Sequence, residues 1–566
     1  MASLVEYTSP KWRNLNMRDL KVDEAYMSVT SELNNRVWLY SLTEGCYNCP
    51  YTKVGGIPPE TSETIKIDVE RTLYYNVYDK DLGKYASPNE SALCHITHDF
   101  KEFGVYNVTL NANRTCEVVS DKDGVDIYMP ILSVFIIILV CSVLAKLFSC
   151  TIRKYWGSST GESTVGQEAN PEAVKKRMRS LDTFRGISIV LMIFVNSGGG
   201  KYWWVEHATW NGLHIADLVF PSFLWIMGVC IPISIKSQMS RGAGKLIICR
   251  RILWRSIKLF LIGLCLNSIN GPNLSDLRIM GVLQRFGIAY LICGVAHTVF
   301  HQGNTLIPQP RIERALNDLI LLKGELLILL ALVAIDLGIV FGVPAPGCPK
   351  GYMGPAGKTL NPKQAHCIGG IVGYIDKKVL GNNHIYQHPT ARYMYDSSGF
   401  DPEGLFGCIF TVVQVLFGMI CGQIILTFPV WKDRVKRWMY WSVALGLIGG
   451  LLCMFSREGG IIPINKNLWS LSFVLVTSSL AFLLLTVLYL IIDIRNIWSG
   501  FPFEECGKNA ITMYIGHMVF HRMLPWHWRI GQMNTHFVLL LEAVWNTSLW
   551  VMIAVYLDSK KLYYSL

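Results

Sequence analysis

The chain has 566 residues, 51% of them hydrophobic and only 16% charged, with a mean hydropathy of +0.32. That balance excludes a water-soluble globular domain and points to an integral membrane protein. The 52 Lys and Arg residues outnumber the 41 Asp and Glu, but they gather in short segments between apolar runs. This is the positive-inside pattern of a multi-pass membrane protein, and it argues against a nucleic-acid partner.

Residues 1–126 show no charged n-region followed by an apolar h-region, so no cleavable signal peptide is recognisable. Either the first membrane helix exports this segment or an export signal is missing from the chain. Alternating apolar runs at 65–69 and 105–110, with sequons at Asn89, Asn107 and Asn113, predict a small β-rich, glycosylated domain. Cys46, Cys49, Cys94, Cys116, Cys348 and Cys367 lie in polar segments, and an even number there suits disulfides in an oxidising compartment. The Cys46-x-x-Cys49 pair also fits a redox pair or half a zinc site, but no second CxxC follows it.

From 127 to 566 the chain reads as a polytopic α-helical membrane domain. Apolar runs at 127–148, 184–196, 216–235, 253–269, 279–300, 319–343, 405–428, 438–455, 468–492, 507–520 and 537–557 predict about 11 transmembrane helices. Basic residues in 153–179, 236–251 and 432–437 mark cytosolic loops. The 1–126 domain, the sequon at Asn273, the segment around His207 and the long loop 344–404 then fall on the lumenal side, and Lys560 and Lys561 on the cytosolic side. A further sequon at Asn546 lies mid-membrane and should stay unmodified. His384-x3-His388 in the long loop has metal-ligand spacing, but no carboxylate or thiol is placed to complete a site, so no metal is expected. The loop is expected to lid the membrane-embedded site and contact a sugar.

Chemistry is expected at a polar hinge within 179–234, where Gly198, Gly199 and Gly200 break two apolar runs and Asn196, His207, Asn211 and Asp217 crowd together. His207 suits a general base that takes the proton of an attacking amine. It equally suits an interfacial histidine beside Trp203, Trp204 and Trp210. Asn196 offers an amide to an oxyanion or simply ends a helix. Asp217 caps the next helix or orients His207. Arg185 either binds a phosphate of coenzyme A or pairs with Asp182. Arg285, Lys466, Lys508, Asn509 and His517 are further polar groups at or within membrane segments, where such groups face a cavity or pair between helices. Arg185, Arg285, Lys508, Asn509 and His517 are the candidates to hold the nucleotide. Lys323, Glu325 and Asp336 pair among themselves on this reading. No Walker loop, HExxH, GxSxG or GxGxxG is present to suggest other chemistry.

The motifs SLDTFRG at 180–186, VNSGGGKYW at 195–203, HATWNGL at 207–213 and ADLVFPSFLWIMG at 216–228 resemble the lysosomal heparan-alpha-glucosaminide N-acetyltransferase family. GVLQR at 281–285, DPEG at 401–404, PINKNLW at 463–469 and GKNAITMYIGH at 507–517 extend the resemblance over nearly everything after 130. The resemblance implies a transmembrane acetyltransferase that passes the acetyl group of cytosolic acetyl-CoA to the terminal α-glucosamine amine of heparan sulfate. It implies that His207 is the catalytic histidine with Asn196 beside it; an acetyl-histidine route and direct attack in a ternary complex both stay open. A homodimer in the lysosomal membrane is expected, with membrane lipid as a further partner, and Tyr563-Tyr-Ser-Leu566 fits a tyrosine-based sorting signal. The alternative is a secondary transporter of a sugar or organic anion.

Overall fold

A computed structural model describes residues 11–156, 178–269, 271, 273–301 and 317–564. Most of the 153–179 loop, and the last two residues of the sorting tetrapeptide, lie outside the described residues. The amino-terminal region forms a short hairpin, β1 (Lys11–Trp12) with β2 (Leu15–Asn16), and two larger sheets. One has four strands in the order β11-β10-β3-β6 (Cys116–Lys122, Val105–Leu110, Glu24–Ser31, Ser62–Asp68). The other has five, β8-β5-β4-β7-β9 (Tyr85–Ala86, Tyr51–Ile57, Val37–Thr43, Leu73–Tyr78, Cys94–Thr97). Pairing is antiparallel except between β3 and β10. Alternate residues such as Ala25, Met27 and Val29 on β3 and Val37 and Leu39 on β4 meet in one core, so the sheets pack face to face as a sandwich. A Cys94–Cys116 disulfide ties the two sheets together at one edge. Cys46–Cys49 and Cys348–Cys367 are also joined, so the CxxC pair is a disulfide here.

The rest is helical: α1 (Met129–Trp156), α2 (Arg179–Asn196), α3 (Ile215–Ser240), α4 (Lys245–Asn267), α5 (Val282–Phe300), α6 (Lys323–Gly342), α7 (Gly370–Leu380), α8 (Cys408–Thr427), α9 (Trp431–Leu452), α10 (Leu471–Leu488), α11 (Phe503–Lys508), α12 (Ala510–Val519) and α13 (His536–Ser559). Each predicted apolar run carries one of these helices. Among the described residues six of them, α3, α5, α6, α8, α10 with its extension to Ile494, and α13, are long and apolar enough to cross a membrane. Exposed apolar side chains along α1, such as Phe135 and Leu139, present a surface suited to lipid.

Glycine sets how close the central helices come. A Cβ at Gly228 would meet Val415 O at 2.1 Å and one at Gly418 would meet Trp225 O at 2.1 Å, so α3 and α8 pack backbone to backbone. Gly186 and Gly507 do the same for α2 and α11, where a Cβ would lie 1.7 Å from Phe503 O and 1.8 Å from Asp182 O. The sandwich sits over one end of this bundle. Its Asp23 bonds His536 at the start of α13 at 2.9 Å, and its Tyr47 backbone bonds the Tyr395 hydroxyl in the 344–404 loop at 3.1 Å.

Candidate active site

The site forms where α2 ends and α3 begins, beneath the sandwich. Gly198, Gly199 and Gly200 have φ of 88°, 51° and 75°, left-handed values that glycine adopts without a Cβ penalty. They turn the chain out of α2 into a loop, 201–214, that crosses the bundle end before α3 starts. Two anchors hold this loop. Trp210, almost fully buried, donates from Nε1 to Met353 O at 2.8 Å, tying it to the 344–404 loop. Asn211 donates to Glu458 at 2.5 Å and accepts from Asn465 at 2.9 Å, tying it to the segment between α9 and α10.

These anchors place His207 against Asp217 in the first turn of α3. The Asp217 carboxylate is fully buried, and its Oδ1 lies 2.7 Å from His207 Nδ1. Its Oδ2 accepts from the backbone N–H of Ala208 at 3.2 Å and of His214 at 3.0 Å. Three donors thus satisfy an otherwise costly buried anion. The bond holds the imidazole proton on Nδ1 and leaves a lone pair on Nε2. The His207 side chain remains 36% exposed, and its lone pair faces the Lys466 ammonium.

Lys466 brings its Nζ to 3.3 Å from His207 Nε2 and 3.5 Å from Nδ1. The same ammonium is 3.7 Å from Glu403, which pairs with Arg278 at 2.7 Å, and Arg278 grips Asp401 through two bonds of 2.9 and 2.5 Å. Burial alone would raise the Glu403 carboxyl. Lys466, Arg278 and Arg285 outweigh it and hold the group well below the usual carboxylate range, so the alternating chain of charges stays ionised.

A cavity of about 290 Å³ lies among the helices, and none of these charged residues lines it. Arg185, Arg255, Lys508 and Tyr564 line it toward the far end, and Phe223, Leu283 and Tyr514 line it toward the sandwich. At the far end Arg185 bonds Asp182 at 3.2 Å, and Lys508 pairs with Glu504 at 3.0 Å and Asp558 at 3.3 Å.

The structure brings some of the candidate residues together and separates others. His207 and Asp217 meet, and Arg185 and Lys508 share the cavity. Asn196 is bonded to His517, 3.0 Å from Nδ2 to Nε2, rather than to His207. His517 Nδ1 sits 3.1 Å from the Met513 carbonyl and must donate to it, so Nε2 accepts from the Asn196 amide. Arg285, expected at the nucleotide, is fully buried outside the cavity lining; it donates twice to Gly404 O and lies over the Trp469 ring. Asn509 and His517 are buried and also outside that lining. Reading the sequence missed Arg278 and Glu403 as the charges behind Lys466; the two acids of DPEG were the available signal for Glu403. Cys348, His366 and Cys367 come within metal-binding distance of one another, but both sulfurs are used in a disulfide. His384 Nδ1 lies 2.8 Å from Leu277 O, a loop contact.

A helical membrane domain that holds a partly exposed histidine against a buried aspartate has the make-up of a membrane-embedded enzyme. Residues 177–308 match the family model described as "Heparan-alpha-glucosaminide N-acetyltransferase, catalytic". Human heparan-alpha-glucosaminide N-acetyltransferase is 35% identical over 592 residues, covering 97% of this chain and 89% of the relative. The mouse protein of the same name is 34% identical over 593 residues with the same coverage. The chain belongs to the heparan-alpha-glucosaminide N-acetyltransferase family and is an acyltransferase, which decides between the enzyme and transporter alternatives.

Proposed function

We propose that the protein transfers the acetyl group of cytosolic acetyl-CoA to the terminal α-glucosamine amine of heparan sulfate on the lumenal face of the lysosomal membrane. The observation that carries this reading is the hydrogen bond of the partly exposed His207 to the buried Asp217; a separate cavity among the helices is lined by Arg185 and Lys508. The basic loops support the orientation, with the sandwich lumenal, the carboxyl terminus cytosolic and eleven membrane-crossing helices. Arg185 and Lys508 would neutralise coenzyme A phosphates, and the apolar wall between them and Tyr514 would take its pantetheine arm.

The amine nitrogen attacks the thioester carbonyl carbon, its proton passes to His207 Nε2, the C–S bond breaks, and coenzyme A leaves as a thiolate that recovers the proton. Asp217 holds the imidazolium that forms. Lys466, next to Nε2, is placed to donate to the carbonyl oxygen as it gains charge. If His207 itself takes the acetyl group first, acid quenching of the enzyme with acetyl-CoA and no acceptor will trap acetyl-His207; in direct attack it will trap none. Purified protein should acetylate a glucosaminide only in the presence of acetyl-CoA. Absence of product with folded protein would overturn the reading.

A further inference from the structure

The end of α13 does not fray but turns the chain back on itself. Lys561 takes the left-handed conformation, with φ of 55°. Its N–H bonds Asp558 O at 2.9 Å, and the N–H of Leu562 bonds Leu557 O at 2.9 Å. This pair of bonds is the Schellman closure of a helix end, which reverses the direction of the chain. It brings the tail back along α13, so that the Tyr563 hydroxyl donates to Asp558 Oδ1 at 2.8 Å. The same oxygen lies 3.3 Å from Lys508 Nζ. Tyr564, one residue on, joins Lys508 in the wall of the 290 Å³ cavity. A helix cap, a hydroxyl and an ion pair thus fix the tail to the cavity rim.

The wall that the tail completes is one-sided in charge. Arg185, Arg255 and Lys508 line the cavity and no carboxylate does, because Asp182, Glu504 and Asp558 pair with the cations from outside the lining. Arg255 has no carboxylate partner among the described residues; it donates to the Tyr290 hydroxyl at 3.5 Å and lies 4.8 Å over that ring. Away from the cations the wall is apolar, with Met192, Phe223 and Phe286. A ligand matched to this lining has a long, weakly polar arm that ends in anionic groups. Tyr564 stands on the anionic side and stays 63% exposed, which leaves its ring open to a flat partner.

Resting on the acetyl-CoA reading above, we infer that the tail after α13 forms the nucleotide subsite for the donor, with Tyr564 stacked on the adenine ring. An acyl-CoA carries its thioester and its adenine at opposite ends. In the orientation proposed above the thioester is directed to the lumenal face, so the adenine stays at the cytosolic mouth, where Tyr564 follows Lys560 and Lys561. Every base has a π face that stacks on an aromatic side chain, and the phosphates beside the adenine meet Lys508 and Arg185. Tyr564 then selects the full coenzyme over a donor that ends at a phosphate, without touching the reacting atoms.

The test uses the purified full-length protein and two donors, acetyl-CoA and S-acetyl-4′-phosphopantetheine, which keeps the arm and one phosphate but lacks the adenosine. The unaltered protein should favour acetyl-CoA in kcat/KM. In Tyr564→Ala that preference should fall by about 5- to 150-fold, the range for stacking one base on an aromatic ring. The loss should appear in the KM for acetyl-CoA, because the contact is alike in ground and transition states. Tyr564→Phe keeps the ring and should keep the preference. Tyr563→Phe removes the bond to Asp558 and should lower the preference by a smaller factor. Equal use of both donors by the unaltered protein would overturn the subsite, as would a Tyr564→Ala protein that keeps the preference or loses both donors equally. A lower KM for acetyl-CoA in Tyr564→Ala would overturn it too, since that is the mark of a tail that blocks the cavity. An unaltered protein that acetylates no glucosaminide from either donor would instead overturn the acetyl-CoA reading on which the subsite rests.

Discussion

Replacing Asp217 by Asn tests the base assignment more sharply than truncation does, because the fold dictates how the new amide must sit. Oδ2 of Asp217 accepts from two backbone N–H groups, those of Ala208 and His214. In Asp217→Asn the amide oxygen has to take that place. The reversed rotamer would leave both donors unsatisfied in a fully buried spot, at roughly 1–3 kcal/mol each. Even about 2 kcal/mol of penalty keeps the population in the first orientation by a factor of roughly 30, at 1.4 kcal/mol per tenfold. The NH2 group then faces His207 Nδ1, which must accept, and the ring proton moves to Nε2. The base is gone although every heavy atom stays in place. The expected loss in kcat is about 10²- to 10⁴-fold, with acetyl-CoA affinity and thermal unfolding close to unaltered. Turnover should be measured with purified protein on a soluble glucosaminide at saturating acetyl-CoA. Asp217→Asn retaining more than about a tenth of the activity, too small a loss for removal of a base, would refute the assignment of His207 and its tautomer.

His207→Ala should fold and bind acetyl-CoA yet lose about 10²- to 10⁴-fold in turnover, and combining it with Asp217→Asn should cost nothing more; additive losses would place the two in separate functions. Asn196→Ala and His517→Ala should give the same partial loss, because each holds the other, and a normal His517→Ala enzyme would detach that pair from the reaction. Burial and its neighbours raise the Glu102 carboxyl from about 4.5 to about 7. The unfolded chain therefore loses that proton first as pH rises, and stability present below about pH 4.5 is lost between there and about 7, by at most about 3 kcal/mol. Glu102→Gln should flatten the melting temperature over that window, and an unchanged pH profile would contradict the shift. Asn113, exposed at a turn of the sandwich, should carry a glycan protected inside sealed vesicles, while the 153–179 loop is cut from outside; glycan loss from intact vesicles would reverse the topology.

The sequence by itself determined what depends on local pattern. Runs of apolar residues located helices, six of which are long and apolar enough among the described residues to cross a membrane, and two-residue alternation located strands, because the periods of side-chain exposure are properties of neighbouring residues. His207 and Asp217 were legible for the same reason, only ten positions apart across a loop and one helical turn. Docking decided the rest. Lys466 reaches the histidine from 259 residues further along the chain, with Glu403 and Arg278 extending the line of charges behind it, and α3 and α8 pack closely through Gly228 and Gly418. Arg285 and Lys508 look alike in sequence, each a cation at the edge of an apolar run. Helix rotation turns one into the protein toward Gly404 and leaves the other on the cavity wall. Rotation is fixed by which faces pack, and no stretch of the chain records that alone.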